Sequence, residues 1–260
     1  MLIQFASDLH LEFDDNRQYI EQHPLVPSGQ VLVLAGDVTS LNYYRFRHWE
    51  RRFFEQLADQ YEKVIWIPGN HEYYRSRDMA DDSPALEESL HANVRLINNH
   101  TEFYEGVRFV CSTMWSHIPF QKAPYIQRYL SDFHLIYKEG RQLTVEVYNQ
   151  LHQQAIGFLE HELSKPFAGP TVVVTHHVPS FVCEHPRHKG SALSTAFVSE
   201  QSSLIARHQP AYWIYGHSHG NVPLIQMGQT QLVTNQLGYV SHGEHTDFRP
   251  AALLAVDVAV

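Results

Sequence analysis

Cysteine is scarce in this chain: among 260 residues only Cys111 and Cys183 carry thiols, far apart and outside any CxxC spacing. That excludes a disulfide framework and a cysteine-rich zinc site, and leaves both as small buried or half-buried thiols. Long hydrophobic runs are missing too. The apolar stretches are strand-sized, so none reads as a helix that crosses a bilayer. The opening MLIQFASDLH has neither a basic n-region nor the long apolar stretch of a secretory signal, and cytoplasmic residence is the expectation that follows. Positive charge is the third shortage. Lysine and arginine number 19 against 28 aspartates and glutamates, a formal net charge of −9. Broad attraction to nucleic acid or to anionic membranes is disfavoured on that balance, although bound metals would reverse the sign locally. Internal repeats, low-complexity tracts and Pro/Gly/Ser linkers are absent as well, so residues 1–260 are expected to form one domain.

What is present is an ordinary globular composition, 43% hydrophobic and 18% charged, enough to bury a core without staples. Short β-branched runs alternate with longer helix-like segments, the signature of α/β layers. The candidate strands are Ile3 to Ser7, Val31 to Ala35, Val64 to Ile67, Val107 to Ser112, Thr171 to Thr175 and Tyr212 to Tyr215. Phe46, Trp49, Phe53 and Leu57 fall at spacings of three and four, the apolar stripe of an amphipathic helix. Val147, Leu151, Ala155, Phe158 and Leu159 predict a second helix, and Ser199 to Arg207 a third. Near the end, Val222 to Met227, a Gly228-Gln229 turn, Gln231 to Thr234 and Ala252 to Val258 predict antiparallel strands, hence a mixed sheet. The stretch from Trp115 to Gly140 is irregular and rich in aromatics and histidine, and is a candidate lid.

Histidine is abundant, with 19 copies, and position must decide which of them matter. Five of the early apolar runs end in groups able to bind metal: Asp8-Leu9-His10, Gly36-Asp37, Gly69-Asn70-His71-Glu72, His176-His177 and Gly216-His217-Ser218-His219. Ligands of open α/β sheets bind outside the carboxyl ends of the strands, so these groups are expected to converge. Residues two apart on an extended segment point the same way, which would let Asp8 with His10, and His217 with His219, aim into one pocket. The glycines before Asp37, Asn70 and His217 fit turns where backbone comes close to something. Oxygen and imidazole donors without thiolate suit Mn, Fe, Zn or Co. Two carboxylates, one amide oxygen and four imidazoles exceed what one metal needs, but suffice for two metals sharing a bridging carboxylate.

The ordered blocks D-x-H, G-D, G-N-H-E, H and G-H-x-H, spanning Asp8 to His219, resemble the signature of the calcineurin-like metallophosphoesterase superfamily. The phrases SDLHLEF, PGNHEYY and VVVTHHVPS are similar to a bacterial branch of predicted phosphoesterases. The resemblance implies a four-layer α-β-β-α sandwich of two mixed sheets. It also implies that Asp8, His10 and His219 bind one divalent metal, that Asn70, His176 and His217 bind a second, and that Asp37 bridges them. In that scheme a bridging hydroxide attacks phosphorus, and His71, touching no metal, serves the leaving-group oxygen as proton donor or charge stabiliser. Several members carry a carboxylate shortly after the G-D block that orients this histidine. Here Val38, Thr39 and Ser40 follow, so what orients His71 is left open.

Other residues are more ambiguous. Neighbours on a strand face opposite sides, so only one of His176 and His177 should reach a metal, and the resemblance favours His176. Glu72 is either an acceptor close to the metals or a carboxylate at a helix start. Asp132 and His134, in YLSDFHLI, are candidates for the substrate side, with a cap that holds the fold as the alternative. Arg187, in EHPRHKG, is the candidate phosphate clamp, since guanidinium matches phosphate oxygens. Asn235, Tyr239, His242 and His245 receive no role from spacing. The expected function is hydrolysis of phosphate mono- or diesters of a small phosphorylated metabolite or nucleotide. A nuclease, a nucleotide pyrophosphohydrolase or a non-catalytic scaffold on the same core are the alternatives.

Overall fold

The computed structural model describes residues 1–82 and 85–258. The chain runs through β1 (Leu2–Ala6), α1 (Asp14–Gln22), β2 (Val31–Ala35), α2 (Leu41–Phe46), α3 (His48–Gln60), β3 (Lys63–Ile67), β4 (Leu86–His91) and β5 (Val94–Asn98). It continues through β6 (His100–Tyr104), β7 (Val107–Ser112), α4 (Ala123–Tyr129), α5 (Asp132–Leu135), β8 (Tyr137–Lys138), β9 (Arg141–Gln142) and α6 (Val145–Ser164). The last part holds β10 (Thr171–Thr175), α7 (Ser194–Phe197), α8 (Ser202–His208), β11 (Tyr212–Tyr215), β12 (Ile225–Met227), β13 (Thr230–Thr234) and β14 (Leu253–Ala255).

Two six-stranded sheets result, ordered β14-β1-β2-β3-β5-β4 and β12-β13-β11-β10-β7-β6. In each, the inner strands are parallel and both edge strands run antiparallel. The two-residue period of a strand explains how the sheets stack. Val31, Val33 and Ala35 of β2 join Ile3, Phe5, Ile65 and Ile67 against Phe109, Val172, Val174 and Ile214 of the second sheet, making a core between sheets. Leu32 and Leu34, one residue out of phase, meet Phe53, Phe54 and Leu57 of α3 in an outer core. On the far side Val110, Val173 and Trp213 meet Leu159 and Leu163 of α6 and Leu204 of α8. The layers are therefore helix, sheet, sheet and helix, the four-layer α/β sandwich that the motif resemblance implied.

Some expectations need correction. The stripe from Phe46 to Leu57 is broken, because Arg47 is extended (φ −99, ψ 131) between α2 and α3. Phe46 ends up 80% exposed while Phe53 and Leu57 are buried, so the amphipathic face begins at Trp49. The expected helix at Ser199 starts at Ser202, and β12 starts at Ile225 rather than Val222. The Gly228-Gln229 turn does join β12 antiparallel to β13, and of the final run only Leu253–Ala255 pairs, with β1. Both cysteines are free and buried. The stretch from Trp115 to Gly140 buries Trp115, Ile118, Ile126 and Phe133 in the outer core beside the first sheet and leaves Phe120, Tyr125 and Tyr129 exposed.

One buried side chain ties the loops around the strand ends together. Asn16 of α1 donates from Nδ2 to the carbonyls of Leu9 (2.9 Å) and Gly238 (2.8 Å), and its Oδ1 accepts from the amide of Val240 (3.2 Å). Replacing Asn16 by alanine strands these buried groups, at about 1–3 kcal/mol for what stays unpaired. Urea unfolding of Asn16→Ala should show a loss of that size. A change within about 0.5 kcal/mol, the scale of an ordinary surface substitution, would mean that Asn16 does not hold these loops.

Candidate metal centre

The carboxyl ends of β1, β2, β3, β10 and β11 meet at the seam between the sheets. Backbone hydrogen bonds lock neighbouring ends, Asp8 N to Gly36 O (3.0 Å), His10 N to Asp37 O (2.9 Å) and Gly216 N to His176 O (2.9 Å). Side chains then cross the seam: the Asp8 carboxylate accepts from the amide of His217 (3.0 Å), and His176 Nδ1 donates to Ala35 O (2.9 Å). The local conformation differs from the extended one expected from the sequence. Asp8, His10, Asp37, His217 and His219 all have positive φ, between 47° and 75°, a region that costs a residue with a Cβ on the order of 1–3 kcal/mol. Leu9, between the first two, turns away into an outer core. The pairing of i with i+2 survives because both partners are left-handed. The glycines behave as expected: a Cβ on Gly36 would lie 2.4 Å from His176 Nδ1, and one on Gly69 would lie 2.2 Å from Asp37 Oδ1.

The side chains gather into two groups that share one carboxylate. Ligand atoms of Asp8, His10, Asp37 and His219 lie within 4.8 Å of one another, as do those of Asp37, His176 and His217. In the first group His10 Nε2 is 2.8 Å from His219 Nε2 and 3.8 Å from Asp37 Oδ2, and His219 Nε2 is 3.5 Å from Asp8 Oδ1. In the second, His176 Nε2 is 3.3 Å from Asp37 Oδ2, 3.1 Å from His217 Nδ1 and 3.2 Å from Asn70 Oδ1. Imidazole nitrogens that face each other this closely cannot all donate. Their remote nitrogens show which tautomer is held. His10 Nδ1 donates to Glu12 (3.0 Å), His219 Nδ1 to Glu244 (2.8 Å) and His176 Nδ1 to Ala35 O (2.9 Å). Each arrangement turns Nε2 into the cluster, where a cation would take its lone pair, the pattern by which proteins present imidazole to a metal. The donor set fits two divalent metals.

Electrostatics follow from burial and proximity. Burial works to raise the pKa of Asp37, but His176, then His71 and His10, hold it well below the usual carboxylate range. His217 is pushed well below its ordinary value by burial and by His177 and His176, and His10 is lowered by burial and by His71. For His71 burial works downward, yet Asp37 and then Glu12 outweigh it and lift the ring to about 9.

The neighbours of His71 include residues that the sequence did not single out. Glu12 Oε1 accepts from His71 Nδ1 at 2.7 Å as well as from His10 Nδ1. Tyr74 stacks on the His71 ring at 4.1 Å, and Tyr239 OH lies 3.2 Å from its Nε2. Tyr239, given no role by spacing, also packs on His10 and His219 at 4.7 and 4.4 Å. The hints were that Glu12 stands in the phrase SDLHLEF, two residues beyond His10, and Tyr74 in PGNHEYY. Glu72 lies beneath the Asp37 turn: its carboxylate accepts from the amides of Asp37 (2.9 Å), Val38 (2.8 Å) and Gly69 (2.7 Å) and from Trp66 Nε1 (3.0 Å). Burial and Asp37 push Glu72 up to about 8.

The remaining candidates separate cleanly. Asp132 is buried, and its Oδ1 accepts from Asn70 Nδ2 (2.9 Å) and from Tyr74 OH (2.5 Å). It fixes the Asn70 amide so that Oδ1 faces His176. His134 is exposed and bonded through Nε2 to Arg128 O (3.1 Å), and it does not border the cleft. Arg187 does border it, with its guanidinium tied to the carbonyls of Ser218 (3.2 Å) and His219 (2.6 Å) and to Glu244 (3.3 Å). Asn235 is structural, its Nδ2 donating to Phe5 O and Arg249 O. A cleft of about 440 Å³ lies over the cluster, floored by Asp37, Asn70, His71, His217 and His219 and walled by Phe13, Tyr129, Leu130, Leu135, Phe197 and Tyr239.

Comparison with known proteins bears on the fold and the family. Over 98% of its length the chain is 29% identical to an uncharacterised protein of Acanthamoeba polyphaga mimivirus, 97% of which is covered. It superposes on the crystal structure of phosphopantetheinyl hydrolase from Mycobacterium tuberculosis with a TM-score of 0.65 at 17% identity, covering 94% of this chain and 92% of that one. No helix among the described residues is long and apolar enough to cross a membrane. The profile of the calcineurin-like phosphoesterases matches residues 1–221, which contain every block of the motif, and the chain belongs to that family of metal-dependent phosphoester hydrolases.

Proposed function

We propose that this chain is a dinuclear phosphoesterase acting on a mono- or diester of a small phosphorylated metabolite or nucleotide, carried by a single domain resident in the cytoplasm. Asp8, His10 and His219 would hold one divalent metal, Asn70, His176 and His217 the second, and Asp37 both. The observation that carries this reading is the meeting of two ligand groups on Asp37. When bound, such a pair of cations supplies Lewis-acid charge to the phosphoryl oxygens and a water acidic enough to serve as nucleophile near neutral pH. Mn, Fe, Zn and Co all suit the donor set.

The chain's own groups do the rest. His71 borders the cleft with Glu12 on Nδ1 and Nε2 near Tyr239, and it gives its proton to the leaving oxygen. The Glu12 carboxylate on Nδ1 favours the imidazolium, which carries the proton to be given on Nε2. Arg187, tied to the loop of His219, supports that loop and adds positive charge at the rim. The aromatic and aliphatic wall excludes water and receives the organic part of the ester. A cleft of about 440 Å³ has the size of small-molecule sites, and the net charge of −9 disfavours a nucleic acid.

Elemental analysis of metal-replete protein should find two divalent metals per chain, with metal-dependent hydrolysis of p-nitrophenyl phosphate or its bis ester. Protein that binds no metal when replete would sink the reading. Asp37→Ala should lose both metals or keep one weakly; two retained per chain would show that Asp37 does not bridge. His71→Ala should keep its metals and lose turnover by about 10²–10⁴-fold on an ester with a poor leaving group, and unchanged turnover there would remove His71 from the reaction. Asp132→Ala frees the Asn70 amide to rotate, so metal titration should show one site weakened by about 10–100-fold. Two unaltered affinities would reduce Asp132 to a packing role.

A further inference from the structure

The proton donor read above needs something to hold its ring, and the segment Val38-Thr39-Ser40 after the Asp37 turn offers no carboxylate. We propose that Glu12 is the positioning residue, and that its single oxygen Oε1 sets the tautomer and rotation of His71 and of His10 together. The inference rests on the reading of His71 as proton donor and of His10 as metal ligand. Its basis is geometric. Oε1 lies 2.7 Å from His71 Nδ1 and 3.0 Å from His10 Nδ1. A carboxylate oxygen only accepts, so both rings carry a proton on Nδ1 and turn Nε2 away from Glu12; the proton that His71 gives to the leaving oxygen is a second one, on Nε2 of its imidazolium. For His10 the freed Nε2 faces His219 Nε2 and Asp37. For His71 it lies beside Tyr239 OH in the cleft.

Local structure explains how one carboxylate reaches both. The amide of Phe13 donates to His10 O at 3.0 Å, closing a turn over residues 10–13 with His10 left-handed. Leu11 drops into the outer core and Glu12 folds back against the rings, its side chain 10% exposed. The two imidazoles stand edge to face at 4.4 Å, so an oxygen at their common edge can receive both protons. Within 4.0 Å, the basic side chains beside the carboxylate among the described residues are these two histidines, and no lysine or arginine competes for Oε1. The consequence is mechanical coupling: an altered Glu12 disturbs a metal ligand and the proton donor at once.

The test uses metal-replete full-length protein. In wild type, nitrogen-15 labelled histidine spectra should show two rings, assigned through His10→Gln and His71→Ala, with protons on Nδ1; an Nε2-only proton on either ring would overturn the proposal without any variant of Glu12. Glu12→Gln keeps the stem but forces an amide into the shared position. It should cut kcat by about 10–100-fold on an alkyl phosphate with a poor leaving group, cut it about tenfold less on p-nitrophenyl phosphate, and leave KM within about twofold. With metal kept saturating, so that the loosened His10 costs metal affinity rather than rate, the double variant Glu12→Gln/His71→Ala should lose little kcat beyond His71→Ala, because residues acting as a unit are non-additive. Additive losses, or equal losses on both esters, would overturn the positioning role. If His71→Ala alone loses nothing on the alkyl ester, the failure lies instead with the reading of His71 as proton donor.

Discussion

The carboxylate of Asp37 is the point on which both sheets depend. It is 1% exposed, and its Oδ1 accepts from the amide of His71 in the first sheet's loops at 2.8 Å, while its Oδ2 faces His176 of the second sheet at 3.3 Å. An ionised group so deeply placed is tolerable only when surrounded by donors and cations. The chain meets that demand from two directions. Glu72 grips the amides on either side of the Asp37 turn, which fixes the turn, and the histidines supply the opposing charge. A slide of one sheet over the other would leave the carboxylate unpaired, so the packing of Val33 and Ala35 against Val172 and Val174 and the polar seam select the same register.

That seam works against stability everywhere except in what it prepares. Five residues hold positive φ, imidazole nitrogens crowd at 2.8 and 3.1 Å, and His217 Nε2 is buried without a partner. Strain of this kind persists only where the surroundings over-determine it. Here three apolar cores do so, with β2, β3, β7 and β10 buried along their whole length. Divalent cations would turn the crowding into attraction, which is why the arrangement reads as preparation for metal rather than as a defect.

The legible part of the sequence was the part with strong local pattern. β1, β2, β3, β7, β10 and β11 are continuous apolar runs, and each polar group that ends five of them could be read off by order. β4, β5 and β6 were not legible. β4 and β6 are edge strands, LEESLH and HTEFY, too polar to stand out, and they pair because a parallel core already exists beside them; β5, VRLIN, is an inner strand interrupted by Arg95. Helix α1, DDNRQYIEQ, buries only Asn16 and Ile20, so it has no stripe to read. The contributions of Glu12, Tyr239 and Asp132 were hidden for another reason. Each acts by holding another side chain, and a residue that holds leaves no spacing signature; Tyr239 arrives from 168 positions beyond His71.

Histidine makes the same point from within one residue type. His176 and His177 are adjacent and both fully buried, yet only the first can be a ligand. His177 has Nδ1 at 3.2 Å from Thr113 O and Nε2 at 3.1 Å from Tyr148 OH, so both of its nitrogens are spent. Its ring lies 4.1 Å from that of His217, packing against the imidazole whose Nδ1 faces His176. His134 and His208 spend a nitrogen on Arg128 O and on Glu160 far from the seam. In His10, His176 and His219 the remote nitrogen is held by Glu12, Ala35 O and Glu244, which turns the other into the cluster, and His217 turns its Nδ1 there instead. What separates a ligand from a strut is which of two ring nitrogens is already taken, and that is decided by contacts across the fold rather than by the residues next door.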